Sequence, residues 1–353
     1  MNSPVKTRIG FVGVGNMGQC AHLQNYAAID ACRVVAIAEL RQETAQAVAR
    51  RYGVPRVYAS AEQMLKAEDL DAIVASQPFN RHGVLIPELL KANVPVFIEK
   101  PLSSTIESGE QILRALEASS TWLMVGYHKR SDPACMWAKN EIDRLKTSGE
   151  LGCLKYIRIT IPVGDWIANG FLPRINKGDN AGNLATEAPP EDMDQEAHAE
   201  YVTFINYYIH QLNLMRYLLG EPYSVSYADP NGVLLVGHST SGVPCSIEMN
   251  PFTTSLDWQE EAVVCFEKGW VKVEFPAPLA HTRPGHVDVF SDPGSGVTPE
   301  LRTPRLPWVH AMRQQALNFL AAVRGEREPM CAAEEALTDL RVARDYMKLW
   351  KGI

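Results

Sequence analysis

Three groups of residues in this 353-residue chain have types and spacing that could bind a dinucleotide or place a charged or titratable side chain beside it. The first is Gly13-Val14-Gly15-Asn16-Met17-Gly18. Gly13 can take a tight turn, Gly15 lets the backbone approach a pyrophosphate, and Gly18 lets a helix pack close to the strand before it. The free N–H groups around Asn16 and Met17 then face the anion. About twenty residues on, Glu39 is spaced to accept hydrogen bonds from an adenosine ribose diol. Its carboxylate would repel a ribose 2′-phosphate, which favours NAD over NADP, whereas Arg41 could neutralise that phosphate. The second group is Glu99-Lys100-Pro101, where the pre-proline position extends the backbone at Lys100 and Pro101 is open to a cis bond. Both features would aim the ammonium at a cofactor cleft. The third is His210 with Asn206 and Asn213, which share a helix face by their spacing.

Taking a hydride from an alcohol carbon leaves a developing carbonyl, so the hydroxyl proton needs a base and the oxygen needs a donor or cation. A lysine partly desolvated beside an oxidised nicotinamide has its pKa lowered toward neutrality, which suits it to the role. Each group also has a structural reading: a glycine turn that serves packing, a surface ion pair at 99–100, and a buried histidine bonded to a neighbour.

The elements that must position these residues can be read from hydrophobic pattern. Apolar runs at 9–12, 33–38, 71–75, 94–98 and 122–126 predict buried parallel strands, with a short strand at 57–58 and helices at 42–52, 61–66 and 82–92 between them. Ser76, Gln77, Asn80 and His82 fall in a loop at the carboxyl end of the third apolar run, where open parallel sheets place ligands. Ser104 and Glu107 are spaced as a capping box. After Gly126 the alternation of strand and helix stops. A helix at 133–146 leads to the alternating strand 156–161, and further strands at 224–227, 233–236, 246–249, 262–266 and 271–275 predict a largely antiparallel sheet. A long segment, 163–199, interrupts it with Asp165 and Trp166 at its start and an acidic stretch, 187–194, read as solvated surface. A helix over 201–219 carries His210, and another closes the chain.

Length and composition fit two globular domains. A net charge of -7, from 34 basic and 41 acidic residues, gives no basic field for nucleic acid or anionic lipid. No run approaches a membrane span, and the N-terminus lacks a signal-peptide pattern, so a cytoplasmic protein is expected. Seven scattered cysteines without a CxxC pair read as small buried thiols, with neither disulfide nor metal expected.

Taken in order, the glycine turn, the Pro78–His82 loop, Glu99-Lys100-Pro101, the Gly126-Tyr127-His128-Lys129-Arg130 junction and the His210 helix ending Arg216-Tyr217-Leu218-Leu219-Gly220-Glu221 give a chain that resembles the Gfo/Idh/MocA oxidoreductases. The resemblance implies an α/β protein: a Rossmann domain over 1–126, a substrate and oligomerisation domain with an open, mainly antiparallel sheet over 127–331, and a C-terminal helix, 332–353, packing across the two. It implies a nicotinamide-linked oxidoreductase acting on a sugar, cyclitol or sugar derivative, in a homodimer or homotetramer. By similarity Lys100 and His210 are catalytic, Lys100, His128, Lys129, Asp165, Trp166, Asn206 and His210 contact substrate, and Glu99 and Lys100 join the cofactor site. Many members carry an aspartate where this chain has Asn206, which shifts proton transfer toward Lys100. Two other readings stay open: a hydrolase or lyase that retains NAD and oxidises transiently, and a dinucleotide-binding regulator without catalysis.

Overall fold

The computed structural model describes residues 6–352; most of the N-terminal stretch read above for a leader lies outside them. The chain falls into two compact units that are discontinuous in sequence. One comprises Met1–Tyr127, Asn169–Val202 and Gln315–Leu340, the other His128–Ala168, Thr203–Gln314 and Arg341–Ile353. Among the described residues no helix is long and apolar enough to cross a membrane.

The first unit is built on six strands, β1 Thr7–Val12, β2 Cys32–Ala38, β3 Arg56–Tyr58, β4 Ala72–Ala75, β5 Val96–Glu99 and β6 Leu123–Gly126, paired in the order β3-β2-β1-β4-β5-β6. All five pairings are parallel. The strands are short apolar runs because both faces are covered: β4, β5 and β6 are buried throughout. The connecting helices are α1 Gln24–Ala27, α2 Gln42–Tyr52, α3 Ala61–Ala67, α4 His82–Leu90 and α5 Ile106–Glu117. The order reverses direction between β1 and β4, and the crevice beside such a reversal is where this topology takes a ligand.

The glycine turn does not run directly into an α-helix. Residues Gly18–Leu23 form a π-helical turn ahead of α1 and are all buried. Helix α5 is capped by Thr105, whose side chain accepts from the Ser108 N–H, rather than by the expected Ser104–Glu107 box. Ser104 is engaged elsewhere, as described below.

The second unit holds α6 Pro133–Ser148, β7 Leu154–Val163, β8 Tyr223–Ala228, β9 Leu234–Ser239, β10 Pro244–Thr253, β11 Glu260–Phe266, β12 Gly269–Phe275, β13 His286–Ser291 and β14 Glu300–Arg302. Its sheet runs β14-β13-β12-β11-β7-β10-β9-β8. The β7–β10 pair is parallel and the rest antiparallel. Strands β13 and β14 are additions to the sequence reading; they are short, and their polar residues hide the alternation. Burial alternates strictly along β11, so one face of the sheet is packed and the other half open.

Three further helices are α7 Gln195–Leu219, α8 Ala311–Val323 and α9 Ala333–Lys351. The part of α8 in the first unit supplies Phe319, fully buried, whose ring meets Tyr26, Phe97 and Trp122 edge-on at 6.5, 5.7 and 5.6 Å. Edge-to-face packing of this kind adds about 1 kcal/mol per pair beyond area burial. Just before α9, Cys331 lends its carbonyl to the N–H of Val125 at 3.0 Å. The sequence reading placed residues near 320 with the sheet-bearing second half and missed α8. All seven cysteines are free, five of them buried; Cys265 is half-buried and Cys153 exposed, against the reading of all as buried thiols.

Candidate functional site

In the first unit the glycine turn opens onto a cleft of about 630 Å³, lined by Gly13, Gly15, Glu39, Arg41, Ser76 and Gln77 among others. Gly13 has φ +90°, and a Cβ there would meet the Ser76 carbonyl oxygen at 2.5 Å. A Cβ on Gly18 would lie 2.6 Å from the Gly13 carbonyl oxygen. Those two glycines are required by the protein's own packing. Gly15 is different: a Cβ would find only Arg41 Nη2, at 3.9 Å. Open space beside a glycine at this point is what a pyrophosphate drawn close to the backbone needs, so the residues present fit a dinucleotide.

Glu39, at the end of β2, is buried. Its Oε2 accepts from the Val14 N–H at 3.0 Å and from Arg41 Nη2 at 2.8 Å, and its Oε1 from the Arg41 N–H and Nε, both at 3.1 Å. Burial pushes this carboxyl up, but the Arg41 guanidinium and the two backbone N–H groups outweigh it and hold Glu39 below the usual carboxylate range. It therefore stays ionised at neutral pH. Arg41 is turned onto Glu39.

The 76–82 loop divides. Ser76, Gln77 and Arg81 line the cleft, and Arg81 Nη1 donates to Gln77 Oε1 at 3.0 Å. Asn80 contributes its carbonyl to the N–H of Glu187 at 2.7 Å. His82 is fully buried, with Nδ1 at 3.1 Å from the carbonyl oxygens of Pro101 and Leu102, so its ring supports the segment after Lys100 and lies away from the cleft lining. Asn16 is exposed and accepts from Arg174 Nη1 at 2.9 Å, and Met17 sits half-buried at the entry to the π turn.

Lys100 follows β5, and the Lys100–Pro101 bond is cis. Behind it, Glu99 Oε2 accepts the Lys100 N–H at 3.2 Å and Glu99 Oε1 lies 2.5 Å from His22 Nε2. His22 is 2% exposed and Glu99 9%. Burial raises the Glu99 carboxyl, and the bond and charge of His22, with Lys100, more than offset this, leaving it lowered. His22 was not singled out in the sequence. Nothing local marks it, since Gly18–Leu23 is buried all round and its partner Glu99 lies 77 residues on. His22→Ala would leave a buried carboxylate oxygen unsatisfied, with an expected loss of about 1–3 kcal/mol in denaturant unfolding, and His22→Gln should recover part of it.

In the second unit the residues after Gly126 are buried: His128 5%, Lys129 3% and Arg130 2% exposed. Lys129 Nζ pairs with Glu260 Oε2 at 3.0 Å. Glu260, 1% exposed, also accepts from Gln211 Nε2 at 2.6 Å and Trp258 Nε1 at 3.3 Å. Arg130 Nε donates to Asn213 Oδ1 at 2.8 Å, and its guanidinium covers the Tyr217 ring at 4.7 Å. Asn213 thus holds an arginine, a role that its side-chain oxygen can fill without charge. His210 is half-buried on α7 and meets the His128 ring edge-on at 4.6 Å. Asn206, one turn earlier, is exposed. Asp165 is exposed and caps its own turn, accepting from Ile167 and Ala168 N–H groups at 3.0 Å, and Trp166 is half-buried.

Glu260 and Gln211 escaped the sequence reading because their partners lie 131 and 49 residues away from Glu260 in the chain. Glu187 corrects it: within the stretch read as solvated acid, this carboxylate accepts from the Gly83 and Ser104 N–H groups, both at 2.7 Å, and from Ser104 Oγ.

Residues 7–127 match the profile of an oxidoreductase family with an NAD-binding Rossmann fold, Gfo/Idh/MocA. Myo-inositol 2-dehydrogenase of Thermotoga maritima is 25% identical over 222 residues, an alignment that spans 63% of this chain and 58% of that protein. Inositol 2-dehydrogenase of Rhizobium meliloti is 25% identical over 305 residues, covering 80% of this chain and 82% of its own. Among solved structures, an oxidoreductase domain protein from Kribbella flavida superposes with a TM-score of 0.75 at 16% identity, over 98% of this chain and 97% of that one; the likeness speaks for the fold.

Proposed function

We propose, from the family match over residues 7–127 and the inositol dehydrogenase relatives, that this chain works as a Gfo/Idh/MocA oxidoreductase, oxidising or reducing a carbinol carbon of a sugar, cyclitol or sugar derivative with NAD. The observation that carries this reading is the shared sheet edge of the first unit: the open glycine cradle at Gly15, the ionised Glu39 and, two strands from β1, Lys100 held from behind by Glu99. NAD, when bound, supplies the hydride acceptor. Gly15 gives the pyrophosphate its close approach on a turn shaped by Gly13 and Gly18, and Glu39 receives the ribose diol. Lys100 takes the hydroxyl proton or holds the oxygen on which charge develops, and His210 is the second proton-transfer group. With Asn206 in place of an acid, nothing at that position charges the imidazole, so Lys100 carries the larger share. His128, Lys129, Asp165 and Trp166 stand as further substrate contacts, those of Lys129 being limited by its bond to Glu260. The inositol dehydrogenases among the relatives make cyclitols the first substrates to try. Incubation with NAD and a panel of inositols, aldoses and uronic acids, followed at the nicotinamide absorbance, tests the reading. Absence of reduction by every polyol, with dinucleotide bound, would favour the NAD-retaining hydrolase or the regulator instead.

Cofactor choice is decided at Glu39. Its carboxylate is satisfied by Arg41 and Val14, so a 2′-phosphate would have to displace Arg41 while facing the acid. Glu39→Ala removes the repulsion and leaves Arg41 to take a phosphate. The ratio of kcat/KM for NADP to that for NAD is expected to rise on the order of ten-fold or more, the worth of one charge-assisted bond. Unchanged preference in Glu39→Ala would remove Glu39 from the discrimination.

A further inference from the structure

Glu99, the last residue of β5, lies opposite Gly126 on the β6 side, which offers it no side chain. A Cβ at 126 would meet the Ile98 carbonyl oxygen at 2.9 Å and Glu99 Cα at 3.5 Å, so that side is closed to a larger residue. The carboxylate is met instead from the π turn. His22 Nε2 lies 2.5 Å from Glu99 Oε1, and the His22 ring packs edge-on against Phe97 at 5.1 Å. Glu99 Oε2 takes the Lys100 N–H at 3.2 Å. One carboxylate thus joins a buried imidazole to the main chain of the residue proposed to move the proton. Beyond Lys100 the chain is held by His82 of α4, whose Nδ1 lies 3.1 Å from the Pro101 and Leu102 carbonyl oxygens. Burial pushes His82 down, so that ring is uncharged at neutral pH, and the Glu187 carboxylate that acts on it is taken up by the Gly83 and Ser104 N–H groups. The charges acting on Glu99 itself are those of His22 and Lys100.

We infer that His22 is a positioning residue for Lys100 and acts through Glu99: it fixes the carboxylate that holds the lysine main chain, and by drawing on that carboxylate's charge it lets the lysine give up its proton more readily than Glu99 alone would allow. The inference rests on the reading of Lys100 as the proton carrier and deepens it. A carboxylate beside an ammonium stabilises the charged form and keeps the proton on it. Burial raises the Glu99 carboxyl, but His22 and Lys100 outweigh it, so Glu99 is ionised at neutral pH. Left to itself, such a neighbour makes a lysine a poor base. A short bond from the imidazole N–H disperses part of the negative charge where it stands. The ring that gives this bond is 2% exposed and packed on Phe97, so it cannot swing away into water.

Two measurements on the same variants of the full chain test it. Trace labelling with acetic anhydride over a pH series, with the Lys100 peptide quantified by mass spectrometry, gives the protonation midpoint of Lys100 without need of a substrate. The pH profile of kcat/KM for polyol oxidation gives the limb on which activity rises as the base loses its proton. His22→Gln keeps a donor but a weaker one, so more of the carboxylate's charge reaches Lys100 and the midpoint should move up by about one pH unit. Glu99→Gln removes that charge, and the midpoint should move down by about one pH unit. The double variant should match Glu99→Gln, because an amide at 99 leaves His22 no charge to draw on. Opposite shifts from two variants weakened in the same packing cannot come from loss of fold. A midpoint unmoved in His22→Gln, or a double variant that follows His22→Gln, would leave His22 a packing residue and overturn the inference, with Lys100 still free to carry the proton. Midpoints that move as expected while the kcat/KM limb stays in place would uphold the coupling and remove Lys100 as the proton carrier.

Discussion

Lys100→Met is expected to lower kcat by about 10²–10⁴-fold while changing KM for the polyol far less. Methionine keeps the unbranched apolar stem and so preserves packing after β5, but it removes the only groups at that position able to accept or donate a proton. A general acid–base residue acts in the transition state, so its loss appears in kcat and in kcat/KM alike, whereas a residue that only binds substrate shows itself in KM. The companion variant His210→Asn is expected to lose less, because the position one turn earlier on its helix holds an amide, Asn206, where a carboxylate would favour the charged imidazole. The assignment fails if Lys100→Met retains most of the turnover and His210→Asn abolishes it. Lys100→Met with His210→Asn should be no worse than about the Lys100 variant alone if the two serve one proton path, since residues acting as a unit are strongly non-additive.

The second large effect concerns stability. Glu260→Gln leaves the Lys129 ammonium, 3% exposed, without its anionic partner. Breaking one side of a buried pair costs about 3–5 kcal/mol, because the remaining charge cannot return to water without unfolding. Denaturant unfolding of Glu260→Gln should show this loss, whereas Lys129→Met with Glu260→Leu, which removes both charges, should restore most of it. Equal instability in the single and double variants would mean that shape and the bonds to Gln211 and Trp258 matter here more than charge. Glu260 also accepts from Gln211, the residue after His210. A fall in activity out of proportion to the folded fraction would therefore report a shift of α7.

Much of this architecture was legible in the sequence because its signals are local. The parallel sheet announces itself as short apolar runs ended by Gly13, Ser76 and Lys100, and the cis bond before Pro101 was within reach of a proline rule. The residue pattern of the second unit likewise gave six of its strands. What stayed hidden depends on partners distant in the chain. His22 looks like any helix histidine until Glu99, 77 residues later, meets it. Glu187 sits in a stretch whose acidity reads as solvated surface, and only folding shows that its carboxylate is spent on the N–H groups of Gly83 and Ser104. The capping error at Ser104 has the same origin, since Glu187 draws the serine away and Thr105 takes over the cap. The π turn after Gly18 has no propensity signature to read.

The rings around Phe319 and the bond between Val125 and Cys331 bear on how the protein is made. Translation delivers the six parallel strands first, but the aromatic plug and the carbonyl that complete them emerge only near the end of synthesis. Until then Tyr26, Phe97 and Trp122 have no lid, and a nascent chain halted after residue 127 carries an open apolar wound that invites chaperones or aggregation. The dinucleotide unit is thus sealed last, though it is begun first.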